Sequence, residues 1–283
     1  MRIAHLIITH TSPRQTERMI RNIYHKNFDF YIHVDKKLDI RHYQCLATLP
    51  NVFFIQNRVN VKRSDYSTVS AIFEGIKEIT SNGAQYEYIN LLSGQDYPIQ
   101  PAEAIYNFFI KHTGKEFLSF IDIKHDWKEG LARIENYYLT DWEFQGKYKV
   151  EGLINKILPK RQIPYGLHPY GKSMFWTLHP DTAAFVVQKV EQDKELQHFF
   201  SYCWGSDEFV FQTILLNSPL KSKIINNNYR YIDCPAGNTS PKILDDTDIV
   251  KIKNSNMLFA RKLDLDQHPK LFDLVDHLIN PII

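Results

Sequence analysis

The chain has 283 residues, a net charge of +2, 23% charged residues and 43% hydrophobic residues. These values fit a folded globular protein and exclude a disordered polymer, a collagen-like repeat and a coiled coil. They also exclude a general nucleic-acid binder, whose phosphate contacts need a clear cationic excess. At this length about three quarters of the unfolded surface can be buried, enough for one large core or two fused smaller ones.

The elements read in chain order as follows. Ile3 to Thr9 is a short apolar run with β-branched residues, the pattern of a buried strand in a parallel sheet. Ser12, Pro13 and Gln15 then read as N-cap, first helical residue and capping-box partner of a helix striped by Met19, Ile20, Ile23 and Tyr24. A second strand runs from Phe30 to Val34 and ends at Asp35, completing a βαβ unit. Val52 to Ile55 is a third strand, and Val69, Ile72, Phe73, Ile76 and Ile79 mark a helix by their 3–4 spacing. Tyr86 to Leu92 is a fourth strand, followed by the turn Ser93 to Pro98 and a helix opened by Pro101.

The second half is less regular. Phe117 to Ile123 and Ser173 to Leu178 read as strands, Pro180 starts a helix through Val190, and a further helix follows Asp207-Glu208. The stretch 126–144 is rich in aromatics and charge. Gln145 to Lys172 carries six Lys or Arg and one Glu between Gly and Pro punctuation, and reads as a solvated basic loop able to meet an anionic substrate or a membrane surface. Strands alternating with helices predict a mixed α/β fold with a mainly parallel sheet, in one domain of residues 1–283. The three Cys are odd in number and widely spaced, giving neither a disulfide framework nor metal-ligand pairs. With no signal-peptide pattern and no long apolar run, a cytoplasmic protein is expected, with peripheral membrane contact left open.

Ligands of such sheets sit at the carboxyl ends of strands, which singles out Thr9, His10, Asp35 and the turn Ser93 to Asp96. Asp35 reads either as a turn residue or as an acceptor for a nucleotide's ribose or base; His33 reads as core. No P-loop, GxGxxG, HExxH or GxSxG is present, and the one D-x-D, Asp264-Leu265-Asp266, lies on a charged stretch away from a central strand end. Asp207 and Glu208, with Ser206 as N-cap, read either as first-turn acids or as a general base held ionised by a helix N-terminus. Arg261 and Lys262 read either as a solvated helix end or as a diphosphate clamp.

The segments IITHTSPRQTERMIRNIY, YIHVDKK, YINLLSGQDYPI, SDEFVFQTILLNS and LFARKLD, in this order, resemble the core-2/I-branching β-1,6-N-acetylglucosaminyltransferases, a family that includes peptide O-xylosyltransferases and bacterial members. The resemblance implies a GT-A-like α/β fold with residues 1–125 as the nucleotide-binding half and 126–283 as the acceptor-binding and catalytic half. It implies inverting transfer from a UDP-sugar donor to a glycan or glycolipid acceptor, as in bacterial polysaccharide synthesis. It also implies no cofactor and no metal, because basic side chains neutralise the leaving diphosphate. By the same resemblance Glu208 is the catalytic base. Thr9, His10, Asp35, Lys242, Arg261 and Lys262 bind the donor. Asp96, Trp127 and Arg133 are the acceptor-binding candidates. At Cys234 many bacterial members carry Trp. A sugar nucleotidyltransferase and a non-catalytic carbohydrate-binding protein of similar fold are the alternatives.

Overall fold

Alternate side chains of the first strand enter two different cores. Ala4, Leu6 and Ile8 join one cluster with Val69, Ile72, Phe73 and Ile76, whereas Ile3 and Ile7 join another with Met19, Ile20, Phe272 and Val275. The period of two along a strand sends neighbours to opposite faces, so a strand buried at every residue must be covered by helices on both sides.

The computed structural model describes residues 1–140, 142, 144–235 and 240–280, so positions 141 and 143 of the 126–144 stretch lie outside the described residues. The first half contains β1 (Ile3–Thr9), α1 (Pro13–Ile23), β2 (Phe28–Val34), β3 (Val52–Phe54), α2 (Ser67–Ser81), β4 (Tyr88–Ser93), β5 (Tyr97–Pro98), α3 (Ala102–Lys111) and β6 (Glu116–Asp122). The second contains α4 (Ile123–Asp126), α5 (Lys128–Glu135), α6 (Lys147–Ile157), β7 (Tyr170–Leu178), α7 (Pro180–Glu191), α8 (Lys194–Ser201) and α9 (Val210–Leu216). It ends with β8 (Ile224–Ile225), β9 (Arg230–Ile232), α10 (Ile249–Asn254), β10 (Phe259–Arg261) and α11 (Pro269–Ile279).

The central sheet has seven strands in the order β3-β2-β1-β4-β7-β6-β8, and only β7 runs against its neighbours. The mixed, mainly parallel α/β architecture expected from the strand–helix alternation is the one observed. A smaller sheet, β5-β10-β9, pairs β10 antiparallel to β5 and parallel to β9.

Three local expectations are corrected. The 145–172 stretch is not a loop throughout: α6 occupies Lys147–Ile157, with no residue buried, and β7 begins at Tyr170. Phe259–Arg261 is a strand rather than a helix end, because its Phe259 and Ala260 are buried and paired on both sides. Ser12 does cap α1, but its side chain makes no capping hydrogen bond. Gln15 turns away from it into the interior, where it is 3% exposed.

Candidate active site

The ends of β1, β2 and β4 are joined into one edge. The Asp35 N–H donates to the Thr9 carbonyl (3.0 Å), and the Gly94 N–H donates to the Ile8 carbonyl (3.1 Å). A Cβ on Gly94 would lie 2.2 Å from Thr11 Oγ1 and 2.4 Å from Thr9 Oγ1, so this turn can close on the first strand only without a side chain. Gln15 then binds the turn to the C-terminal segment. Its amide donates to the carbonyls of Gly94 (2.7 Å) and Leu263 (3.0 Å), and its oxygen accepts from the Leu265 N–H (2.8 Å). A buried amide satisfied on both sides fixes three loops at once.

Asp35 lies at this edge, nearly buried. Its Oδ1 accepts from the Lys37 N–H (3.0 Å) and its Oδ2 lies 3.4 Å from Lys37 Nζ. The His10 imidazole has a lowered pKa, first through partial desolvation; Asp35 opposes the shift, and Lys37 and Lys262 add to it. Those interactions put Lys262, distant in sequence, within electrostatic reach of His10.

The cations at the end of β10 are available. The Arg261 guanidinium stacks 4.0 Å from the Phe175 ring centre, and its Nε is buried with no hydrogen bond. Lys262 has a lowered pKa because desolvation, then Arg261 and Arg63, disfavour its charge. Neither forms an ion pair with a described residue. Lys242 differs: its ammonium lies 2.9 Å from Asp245 and 2.7 Å from Asp248, which raise its pKa. Two carboxylates already neutralise Lys242, which corrects its expected place in the clamp. Arg63, whose Nη2 donates to Ser240 Oγ (3.3 Å), is the second cation facing Lys262.

Glu208 acts electrostatically on both Arg261 and Lys262. Gly205 adopts a left-handed conformation (φ 69°, ψ 40°), and Ser206–Glu208 forms a single 3₁₀ turn before α9. The expected Ser206 cap is therefore not made, and the Ser206 hydroxyl is buried without a partner. Nor is the Glu208 pKa lowered by a helix end: desolvation raises it, while Arg133 pulls it back. Asp207 is raised as well, by burial and then by the charge of Glu208. Of the two, Glu208 carries the cationic partner and is the one better able to ionise.

Arg133 is that partner. Its Nη1 lies 2.7 Å from Glu208 Oε2 and its Nη2 lies 2.5 Å from Glu129 Oε1. Its guanidinium is held between the Trp127 ring (5.0 Å) and the Trp204 ring (4.1 Å). With 8% of its side chain exposed, Arg133 orients the carboxylate instead of reaching an acceptor, a correction to its expected role. Glu208 keeps 36% of its side chain exposed and can meet a solute. The same field joins the two sides: Glu208, Asp207 and Cys234 act on Arg261, and Glu208 and Cys234 act on Lys262.

Asp96 is not an acceptor contact. It is 0% exposed; its Oδ2 accepts from the Ser93 N–H (2.7 Å) and hydroxyl (2.5 Å), and its Oδ1 lies 3.8 Å from buried Arg230. A carboxylate without exposure closes the turn and balances a buried cation. His33 is core, as expected, with Nε2 accepting from the Val59 N–H (2.9 Å). Asp264 caps the turn before α11 through the N–H groups of Asp266 and Gln267 (3.1 Å each). Sequence reasoning missed Gln15, Arg63, Glu129 and Trp204. Only the Glu129–Arg133 pair had a signal, its i,i+4 spacing.

Cations near the ends of strands thus share one electrostatic field with one oriented carboxylate. The family model Core-2/I-Branching enzyme matches residues 3–257, and the chain belongs to this family. The chain is 25% identical over 288 residues to a xylosyltransferase of Ciona intestinalis, covering 93% of this chain and 32% of the relative. It is 27% identical over 247 residues to human xylosyltransferase 1, covering 81% of this chain and 24% of the relative. The chain thus spans about a quarter to a third of the length of these curated relatives. Among solved structures, mouse xyloside xylosyltransferase 1 in its apo form matches with a TM-score of 0.43 and 12% identity, covering 91% of this chain and 96% of that one.

Proposed function

We propose that this protein is an inverting glycosyltransferase that moves a sugar, GlcNAc or xylose, from a UDP-sugar to a hydroxyl of a glycan or glycolipid acceptor. The observation that carries this reading is the pairing of one oriented, solvent-reaching carboxylate, Glu208, with the unpaired cations Arg261 and Lys262. Glu208 takes the acceptor proton as the oxygen attacks the anomeric carbon. UDP leaves from the opposite face, which inverts the configuration. Arg261, Lys262 and Arg63 balance the charge growing on the diphosphate, so no divalent metal is needed at that step. His10 and Asp35 lie at the strand-end edge suited to the nucleoside; Thr9, 1% exposed with its hydroxyl beside those of Thr11 and Thr16, is buried within the turn and does not reach a ligand, a correction to its expected role. Trp127, partly buried beside Arg133, supplies an aromatic face for an acceptor sugar.

The deciding experiment is Glu208→Gln. Transfer falls ~10²–10⁴-fold, the usual loss of a general base, while calorimetry still detects UDP binding. Near-normal turnover would overturn the assignment, and sugar binding without UDP binding would favour a non-catalytic carbohydrate binder. Transfer should persist in EDTA; loss restored by manganese would remove the cation-clamp account.

One feature favours an acceptor presented at a lipid surface. Val150, Leu153 and Ile157, at i, i+3 and i+7 of α6, are 39%, 58% and 70% exposed. Lys149, Lys156 and Lys160 flank that stripe. The opposite side, Glu151 and Asn155, accepts the N–H groups of Leu139 (2.8 Å) and Tyr137 (2.7 Å). An outward apolar stripe edged by lysines suits an anionic membrane interface. Cosedimentation with phosphatidylglycerol vesicles, lost in Leu153→Asp/Ile157→Asp and absent with phosphatidylcholine, is the expected result. No helix among the described residues is long and apolar enough to cross a membrane.

A further inference from the structure

We propose that Asp122, His125 and His168 form a binding site for a divalent transition metal of the zinc class. The Asp122 Oδ2 lies 2.9 Å from His125 Nδ1 and 2.8 Å from His168 Nε2. The three ligand atoms all lie within 4.8 Å of one another. Zinc bonds of ~2.0–2.2 Å to nitrogen and oxygen place tetrahedral ligand atoms ~3.3 Å apart, so a metal enters once the exposed His125 side chain adjusts to bring the three atoms to that spacing. Two imidazoles and one carboxylate are a borderline donor set that prefers zinc, nickel or copper over calcium and magnesium. The fourth position opens to solvent, because His125 is 74% exposed.

The ligands are pre-positioned by contacts that a metal would leave intact. Asp122 caps α4 with its other oxygen: Oδ1 accepts from the N–H groups of Lys124 (2.9 Å) and His125 (3.3 Å), leaving Oδ2 for a metal. The backbone of His168 is clamped on both sides by Asn217, whose Oδ1 accepts from its N–H (3.0 Å) and whose Nδ2 donates to its carbonyl (2.8 Å). The Ile123 N–H donates to the Pro169 carbonyl (3.1 Å), joining the two segments beside the site. Ordered ligands on rigid elements keep the entropy lost on binding small. The two imidazoles each approach Asp122 through a ring nitrogen. Metal binding moves the proton of each ring to its other nitrogen or releases it to solvent.

The test is titration calorimetry of the EDTA-treated, dialysed full chain with zinc chloride, in a Cys45→Ser/Cys234→Ser background that removes the exposed thiols. The expected result is one equivalent bound with micromolar affinity, weakened at least tenfold in His125→Ala and in His168→Ala. Magnesium should give no heat. His125→Ala is the decisive variant, because that side chain is largely exposed and its loss leaves the Asp122 cap in place. Equal zinc binding by the parent and His125→Ala would overturn the site, as would no binding at 100-fold the protein concentration. Retained transfer by the metal-free protein keeps this outcome distinct from that of the proposed activity.

Discussion

The Arg133 guanidinium lies 2.7 Å from Glu208 and is held between two tryptophan rings, so the exposed carboxylate inherits its position from a buried cation. Arg133→Met removes both the ion pair and the stacking. The Glu208 pKa, already raised by desolvation, should then rise further, because its neutralising partner is gone. Since the base must be ionised, the acidic limb of kcat/KM moves to higher pH. Lost cation–π stacking also lowers stability by about 1–2 kcal/mol. A pH–rate profile with an unmoved acidic limb would show that Arg133 does not tune Glu208.

Asp207→Asn should move the same limb the other way. The variant removes a neighbouring negative charge, so Glu208 ionises at lower pH. Stability supplies a second readout. A carboxyl whose folded pKa is raised contributes stability at acid pH that is lost as pH rises through the folded value. The parent protein should therefore melt lower at pH 8 than at pH 5 by this contribution, and Asp207→Asn should narrow that gap. An unchanged pH dependence of Tm would contradict the raised pKa of Asp207.

The clamp makes a ranking. Lys262→Ala and Arg261→Ala should each weaken UDP binding roughly tenfold or more, because each removes a cation that makes no contact ion pair with a described residue. Lys242→Ala should change it less than threefold, since Asp245 and Asp248 already hold that charge. Calorimetry on the three variants decides; a Lys242 effect equal to that of Lys262 would restore Lys242 to the donor site.

Cys234 offers a chemical probe. It is exposed, and its thiol pKa is raised by desolvation and Asp233 and lowered by Arg261 and Lys262. In a Cys45→Ser protein, UDP should slow alkylation of Cys234 several-fold by filling the cleft between those cations. A labelling rate indifferent to saturating UDP would separate Cys234 from the donor pocket.

Much of the fold is legible along the chain. The run Ile3 to Thr9 reads as a strand and is one, at the same residues. Pro180 opens α7 as expected, because its fixed φ and missing N–H suit the first helical turn. The 3–4 spacing from Val69 to Ile79 marks α2. Other elements were not legible. In α6 the apolar residues face solvent, so the usual link between periodicity and burial fails and its Gly and Lys content reads as loop. Strand β10 has three residues, too few for any period, and exists because β5 and β9 pair with it. Gln15 fits a capping box by spacing, but its amide found three backbone partners inside the protein.

The candidate site divides in the same way. Strand-end position singled out Asp35, whereas for Glu208, Arg261 and Lys262 residue chemistry left a structural reading open and the resemblance of their motifs to the family supplied the functional one. Which charges are free and which are spent followed from packing. Asp96, Arg133 and Lys242 carry the same formal charges in the sequence as Glu208, Arg261 and Lys262. Burial, two tryptophan rings and a pair of aspartates separated them, since desolvation and close partners act through space and leave no mark in residue order. The strand–helix alternation and the candidate acids were written in the chain; the strand order, the ionisation of Glu208 and the membership of its charge cluster were set by contacts between distant segments, such as Arg133 with Glu208, 75 residues apart.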